Sequence, residues 1–381
     1  VRLAVYTDYT YKQLDGRVYA ERAFALFLDE LRHRVEQLTL VGRLDPRPGT
    51  SRYELSEGVR FVGLPFYETV TRPFSAAGQM AASVRRFWRL LGDVDAVWII
   101  GPHPLGPIFA LQGVLRGKRV ALGVRQDMGA YIRSRHPRRR WLWAAGAAME
   151  RTWRLLGKRL PVIVVGPELA SQYAGGRAVL AVAISLIRAA DVDGDQRTHD
   201  YDGEIDVLSV GRLETEKNPL LLADVLARLV ARQPRWRLTV CGEGPLRDAL
   251  QARLAQLGVA DRARLLGYVP LDGGLFDAYR SSQVLLHVSW TEGLPQILFE
   301  AFAAGLPVVA TDVGGIRAAV GDATELIPAG DAEAAAAALE RVVGDAARRQ
   351  ELVEAGLAHA REHTIEAETG RVAAFIEGAR R

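Results

Sequence analysis

The chain has 381 residues, of which 49% are hydrophobic and 25% charged, with a net charge of +4. That composition excludes a collagen-like chain, a coiled coil and long disorder, and the length argues for two to three domains rather than one. A single cysteine, Cys241, excludes an intramolecular disulfide framework and fits a reducing compartment.

Short β-branched or apolar runs alternate with amphipathic stretches along the whole chain, the pattern of an α/β protein with parallel sheets. In the first half, strands are predicted at Leu3–Thr7, Val35–Val41, Val59–Leu64, Ala96–Ile100, Val120–Val124, Val162–Val165 and Val179–Ile184. Helices are predicted at Tyr19–Leu31, Ala76–Leu91, Pro104–Leu115 and Arg138–Leu156. The acidic, aperiodic stretch Asp191–Gly203 reads as a linker. Strands then resume at Val207–Val210, Leu238–Cys241, Arg264–Leu266, Val284–Val288, Val308–Ala310 and Glu325–Ile327. This divides the chain into an N-terminal domain, 1–190, a C-terminal domain, 191–365, and a last helix, 366–381, expected to cross back to the first domain.

Charge is unevenly spread. Residues 1–180 hold 28 Lys and Arg against 15 Asp and Glu, a net of +13, whereas residues 181–381 hold 21 against 30, a net of −9. A basic half suggests a lobe that meets an anionic partner. The run Arg133–Arg140 leads into a helix on which Arg140, Arg151, Arg154 and Lys158 share a face, with Trp141, Trp143 and Trp153 beside it. Such a helix suits an anionic membrane surface. It also suits a solvated face over buried tryptophans, while the absence of any recognition motif argues against nucleic acid. No stretch reaches the roughly 18 uninterrupted apolar residues of a spanning helix. Val1–Tyr6 does not read as a secretory leader. A cytoplasmic place, peripheral on the inner face of the membrane, is the expectation.

Most of the chemistry lies in the second half. Gly211–Pro219, GRLETEKNP, follows a strand and is expected to open a helix at about Lys217. Backbone amides at a helix N-terminus favour an anion, Arg212 adds a forked donor for phosphate oxygens and Lys217 a point charge. Gly242 and Gly244, one residue apart at the next strand end, permit close approach of backbone to a ligand. Only part of the dinucleotide fingerprint is present, so this signal is weak alone. After the strand at Val284–Val288, Glu292 sits in a loop, Pro295 opens a helix and Gly305 ends it. Glu300, flanked by Phe299, Ala301 and Phe302, needs a partner if buried, and sugar hydroxyls would serve.

With GRLETEKN, Gly242-x-Gly244-Pro245, Gly267–Pro270, the Glu292-x7-Glu300 pair and Pro307–Gly315 in this order, the chain resembles the retaining glycosyltransferases of family 4. The resemblance implies a GT-B fold: two facing Rossmann-like domains with parallel sheets and a cleft between them. It implies that Arg212 and Lys217 bind the donor diphosphate and that Glu300 holds the ribose. Glu292 would contact the transferred sugar, together with Gly293, Leu294 and Pro295, while Tyr268 and Val269 border the base. In the first half, Gly16 takes the place of the family's paired glycines, in a loop where Asp15 caps the next helix or pairs with Arg17. His103 resembles the family's active-site histidine, and Arg125, Gln126 and Asp127 stand where a second histidine is often found, as acceptor-side candidates.

The implied activity is retaining, metal-independent transfer of a sugar from a nucleotide-diphosphate donor to a hydroxyl on a lipid-linked, envelope-glycan or small-molecule acceptor. No cofactor and no metal is expected, since the two cations supply the positive charge and no zinc spacing occurs. Two alternatives stay open: a sugar phosphorylase or cyclitol-coupling enzyme on the same fold, and a non-catalytic sugar-nucleotide-binding protein.

Overall fold

The computed structural model describes the chain except residues 69–72, 136–138, 193–198 and 380–381, so parts of the basic run, the linker stretch and the C-terminal tail lie outside the described residues. Two compact units result: Val1–Ile184 with Ile365–Arg381, and Ser185–Thr364.

Among the described residues the first unit contains nine strands: β1 Arg2–Leu14, β2 Arg17–Ala20, β3 Gln37–Leu44, β4 Tyr53–Glu54, β5 Arg60–Leu64, β6 Ala96–Gly101, β7 Arg119–Val124, β8 Val162–Val165 and β9 Val179–Val182. β3 and β6 flank β1 in parallel, and parallel pairing continues from β3 to β5 and from β6 through β7 and β8 to β9. The run β5-β3-β1-β6-β7-β8-β9 therefore reverses its direction of travel between β1 and β6. Strands such as AVWIIG in β6 are buried along their whole length, as expected where helices cover both faces of a parallel sheet. The unit's core gathers Phe87, Phe109 and Trp153. Gly101 and Gly106 are glycine for a steric reason, since a Cβ on either would meet the Trp153 indole at 2.3 and 2.5 Å.

Two short strands depart from the sequence reading. β1 runs on past its parallel partners and turns back into β2, with Leu14 opposite Arg17. Asp15 and Gly16 both have positive φ, 50° and 80°, the two-residue primed turn whose twist matches a hairpin. The segment around Gly16 is therefore a hairpin tip rather than an open loop at a strand end. Asp15 caps no helix, and Arg17 pairs with Glu54 at 3.1 Å. The predicted helix from Tyr19 begins only at Phe24, because Tyr19 belongs to β2.

In the second unit six strands, β10 Ile205–Val210, β11 Trp236–Cys241, β12 Ala263–Gly267, β13 Val284–His287, β14 Val308–Thr311 and β15 Thr324–Ile327, form one sheet. Their order is β12-β11-β10-β13-β14-β15 and every pairing is parallel. This is the doubly wound order, whose switch point falls between β10 and β13. Trp236, Leu238, Leu226, Leu339 and Val342 are among the residues of its core. The last two helices of the unit start on aspartates: Asp331 accepts from the amides of Glu333 and Ala334, and Asp345 from that of Arg348, which satisfies donors that a helix start leaves unpaired. The helix Ile365–Gly378 belongs to the first unit, where Arg34 and Arg371 tie it down through the carbonyls of Glu366 and Ala181.

Candidate active site

Loops leaving β10 and β13, the two strands at the switch point, carry the chemistry of the second unit. After β10 the chain makes a short 3₁₀ turn, Thr215–Lys217, passes through left-handed Asn218 (φ 50°) and starts its helix at Leu220. Lys217 therefore precedes the α-helix instead of opening it: the left-handed residue and Pro219 separate the two. The loops are stitched together by backbone. Gly211 and Leu213 donate to the carbonyls of Cys241 and Glu243, Leu246 donates back to Leu213, and Trp290 donates to Glu216.

These contacts account for the two glycines after β11. A Cβ on Gly242 would lie 1.8 Å from the Gly211 carbonyl oxygen, and one on Gly244 would lie 2.4 Å from that of Leu213. The close approach they permit is to the neighbouring loop's backbone. Tyr268 and Val269 follow β12 at Gly267, whose carbonyl accepts from the Gly242 amide at 2.7 Å.

Glu292 is the centre of the site. Its Oε1 receives Lys217 Nζ at 2.5 Å, Ser289 Oγ at 2.6 Å and His287 Nε2 at 2.9 Å. Burial pushes its carboxyl up, but the hydrogen bond from His287 and the charge of Lys217 outweigh that and hold it at about 2. Three donors on one oxygen keep this carboxylate ionised and oriented, a good acceptor for hydroxyl groups. Gly293, Leu294 and Pro295 continue the loop, with the Gly293 carbonyl accepting from Gly315, and Pro295 takes the cap position before the helix Gln296–Ala303.

Glu300 lies in that helix, buried, with the Tyr279 hydroxyl 2.8 Å from its Oε2. Here burial wins: the carboxyl is raised to about 7, with Tyr279 pulling only partly the other way. Arg212 is half-exposed and engaged by Glu214 and, at 3.1 Å, by Glu216. Within the second unit, then, Lys217 is held by a carboxylate of the neighbouring loop and Arg212 by carboxylates of its own.

The first unit repeats the arrangement at its own switch point. His103, in the loop after β6, is buried, with Tyr6 Oη 2.9 Å from Nδ1, the Leu105 amide 3.2 Å from Nδ1 and Tyr67 Oη 3.1 Å from Nε2. The Leu105 N–H can only donate, so Nδ1 is the acceptor and Nε2 carries the proton. Burial depresses this imidazole to about 4. Arg125, after β7, reaches the Tyr9 hydroxyl and Asp8, 3.4 Å away, and lies over the Tyr9 ring. Arg43 donates to the carbonyls of Asp8 and Tyr67. Gln126 is exposed and Asp127 partly buried. His287, Ser289, Tyr279, Tyr6 and Tyr67 are partners that sequence reasoning missed. A histidine closing a strand and a serine three residues before Glu292 were the only local signals available.

The profile of the glycosyl transferases group 1 family matches residues 194–359. The second unit belongs to the group 1 glycosyltransferases. A D-inositol 3-phosphate glycosyltransferase of Kribbella flavida is 36% identical over 162 residues, 40% of this chain and 38% of that protein. A second, from Nocardia farcinica, is 32% identical over 211 residues, 53% of this chain and 44% of that protein. The matched regions thus span less than half the length of these relatives. Among solved structures, a sucrose-phosphate synthase from Thermosynechococcus elongatus superposes with a TM-score of 0.73 at 17% identity, over 99% of this chain and 98% of the other. Anabaena HepE in complex with UDP superposes with a TM-score of 0.70 at 16% identity, over 99% and 100%. These likenesses give the chain the GT-B fold.

Other groups lie outside the group 1 site. His359 and Glu362 on the last turn of the helix Ala346–Glu362, with His363 just after it, bring possible ligand atoms within 4.8 Å of one another, and His359 already meets Asp322 at 2.8 Å. Among the described residues no helix is long and apolar enough to cross a membrane.

Proposed function

We propose that the chain is a retaining, metal-independent glycosyltransferase of family 4 that transfers a sugar from a nucleotide-diphosphate donor to a hydroxyl acceptor. The observation that carries this reading is the switch-point cluster of the second unit, where Lys217 and Glu292, from the loops after β10 and β13, and His287, at the end of β13, are preassembled. HepE, a neighbour in fold, binds UDP and UDP-glucose, which supports a uridine or similar nucleotide here.

In this reading the diphosphate draws Arg212 and Lys217 away from Glu214, Glu216 and Glu292, and their charge stabilises the leaving group. Glu292, kept ionised, accepts hydrogen bonds from hydroxyls of the transferred sugar. Glu300 accepts from the ribose, while Tyr268 and Val269 border the base. The bond from the anomeric carbon to the diphosphate oxygen breaks as the acceptor oxygen bonds to the same face. The acceptor proton passes to the departing phosphate, so no side chain has to act as base, and catalysis rests on positioning and charge. His103, neutral with Nε2 protonated, donates a hydrogen bond without carrying charge. Arg125, Gln126 and Asp127 contribute to the acceptor side.

The test is donor consumption with a panel of nucleotide sugars, preceded by nucleotide-induced shifts of the thermal midpoint, since a ligand of the native state raises it. Turnover should collapse in Arg212→Ala, Lys217→Ala and Glu300→Ala with the fold intact. Turnover near the parent level in all three would sink the proposal.

A further inference from the structure

On one side of the first sheet, three helices lie together: Pro73–Leu90, Leu105–Leu115 and Arg140–Gly157. The middle one is joined to its neighbours at both sides. Gln112 donates to the Val84 carbonyl at 3.1 Å, Arg116 lies over the Trp88 ring, and Gly106 packs against Trp153. Its inner face, Leu105, Phe109 and Gly113, is buried. The outer face is where an ordinary surface helix is polar, yet it presents Ile108, Leu111, Val114 and Leu115 at 42, 59, 51 and 67% exposure. Trp141, 58% exposed, opens the third helix and Leu155, 52% exposed, lies near its end. Single exposed apolar residues need no explanation, but a contiguous stripe on one helix does.

The rim of this stripe is cationic. Arg85, Arg86 and Arg89 are exposed on the first helix, Arg116 follows the second, and Arg140, Arg151 and Lys158 are exposed on or just after the third. Among the described residues, Arg85, Arg86, Arg89, Arg151 and Lys158 form no ion pair. In the sequences of all three helices there is a single carboxylate, Glu150, and it is taken up by Arg154. We propose that this three-helix face docks on an anionic lipid bilayer, with Ile108, Leu111, Val114 and Leu115 entering the acyl boundary and the arginines meeting the headgroups.

The two components together select this occupant. Cations alone would suit any polyanion, but a nucleic acid backbone gains nothing from an aliphatic stripe. A second copy of the chain would bring a like-charged rim against this one, which repels. An anionic bilayer satisfies both components: apolar area leaves water as each basic residue near the surface gains attraction. The sequence puts this surface on the helix of Arg140, Arg151, Arg154 and Lys158, with Trp141, Trp143 and Trp153. The structure moves the centre of the surface to Leu105–Leu115, removes Arg154 by pairing it, and adds the arginines of Pro73–Leu90. Docking stands apart from the sugar-transfer proposal, because vesicle binding reads one and donor turnover reads the other.

The experiment is co-sedimentation of the full chain with vesicles of phosphatidylcholine alone or with about one-third phosphatidylglycerol, at physiological and raised salt. The parent should partition onto the anionic vesicles at least about tenfold more strongly than onto the neutral ones, and salt should weaken binding. Leu111→Glu with Leu115→Glu should cut that partition by about tenfold or more, with the thermal midpoint unchanged because both sites are exposed. Replacing Arg85, Arg86 and Arg89 by Gln should cut it by a similar factor and flatten the salt dependence. Absence of vesicle binding would overturn the proposal, as would equal binding to both vesicles or parent-like binding by both variants. So would self-association that the double glutamate variant abolishes without any lipid binding, or retention on a DNA duplex in preference to vesicles.

Discussion

The two switch-point sites solve opposite electrostatic problems with the same topology. In the second unit, Glu292 is buried yet ionised, because Lys217, Ser289 and His287 converge on one oxygen. In the first unit, His103 is buried and neutral, because burial penalises the charged imidazolium more than Asp8 favours it. Glu300 stands between them, a carboxyl with one hydrogen-bond partner and a value lifted to about 7. Burial alone, then, does not decide charge at this fold's strand ends. Burial prevails at His103 and Glu300, whereas at Glu292 the donors converging on one oxygen outweigh it.

The two glycine-bearing turns differ in the same instructive way, and substituting them should give the largest effect. Gly242→Ala places a methyl into the Gly211 backbone and is expected to cost several kcal/mol, enough to prevent folding of the second unit. Gly16→Ala meets nothing within 4 Å and loses only the ease of its positive φ, about 1 kcal/mol. Denaturant midpoints of the two variants check this, and equal losses would erase the distinction between steric and conformational glycines.

Lys217→Ala removes one of the three donors that hold Glu292. Turnover with a nucleotide sugar should drop by about 100-fold or more, and donor binding should weaken with it. Steady-state rates on folded protein are the measurement. A fall confined to stability, with the rate per folded molecule retained, would make the ion pair structural.

Glu300→Gln should act on stability in the opposite direction. Its folded value, about 7, exceeds the ordinary 4.5, so the native state holds a proton that the unfolded chain has lost between those values. Stability therefore falls as pH rises through that window, and the full cost, about 3 kcal/mol, is present above it. The amide escapes that cost: the variant should melt higher than the parent at pH 8, equally below pH 4.5, and bind nucleotide more weakly. Thermal scans across pH settle the sign.

The smallest effect near neutral pH is expected at His103. Its value, about 4, lies below the ordinary 6.5. The unfolded chain binds the extra proton first, so stability is lost as pH falls from 6.5 toward 4 and is intact above 6.5. His103→Gln should flatten that part of the pH profile, by up to about 3 kcal/mol, while leaving the Glu292 side unchanged. An unaltered profile would place the proton elsewhere.

Much of the fold was legible because parallel strands buried on both faces must be nearly continuous runs of apolar residues. VIVV at Val162–Val165 and VVAT at Val308–Thr311 stand out for this reason. The hairpin β1–β2 was missed although Asp15-Gly16 is a hairpin signal, since its strands, YKQL and RVYA, lack a clean alternation. Arg212, Lys217, Glu292 and Glu300 could be read because short motifs carry them on single loops. Tyr279 and His287 could not, because each matters only through a side chain brought to it by another strand or helix.

Composition, period and motif order determined the α/β class, the doubling of the fold and the likeness of the second unit to the group 1 glycosyltransferases. These properties follow from the backbone's fixed periodicities and from local loop chemistry. Tertiary structure alone decided which charges are kept, which glycines are steric, and that the apolar stripe lies on Leu105–Leu115 rather than on the arginine-rich helix beside it. Each of these depends on what lies across a contact, and a contact between residues distant in sequence leaves no mark on either segment read by itself.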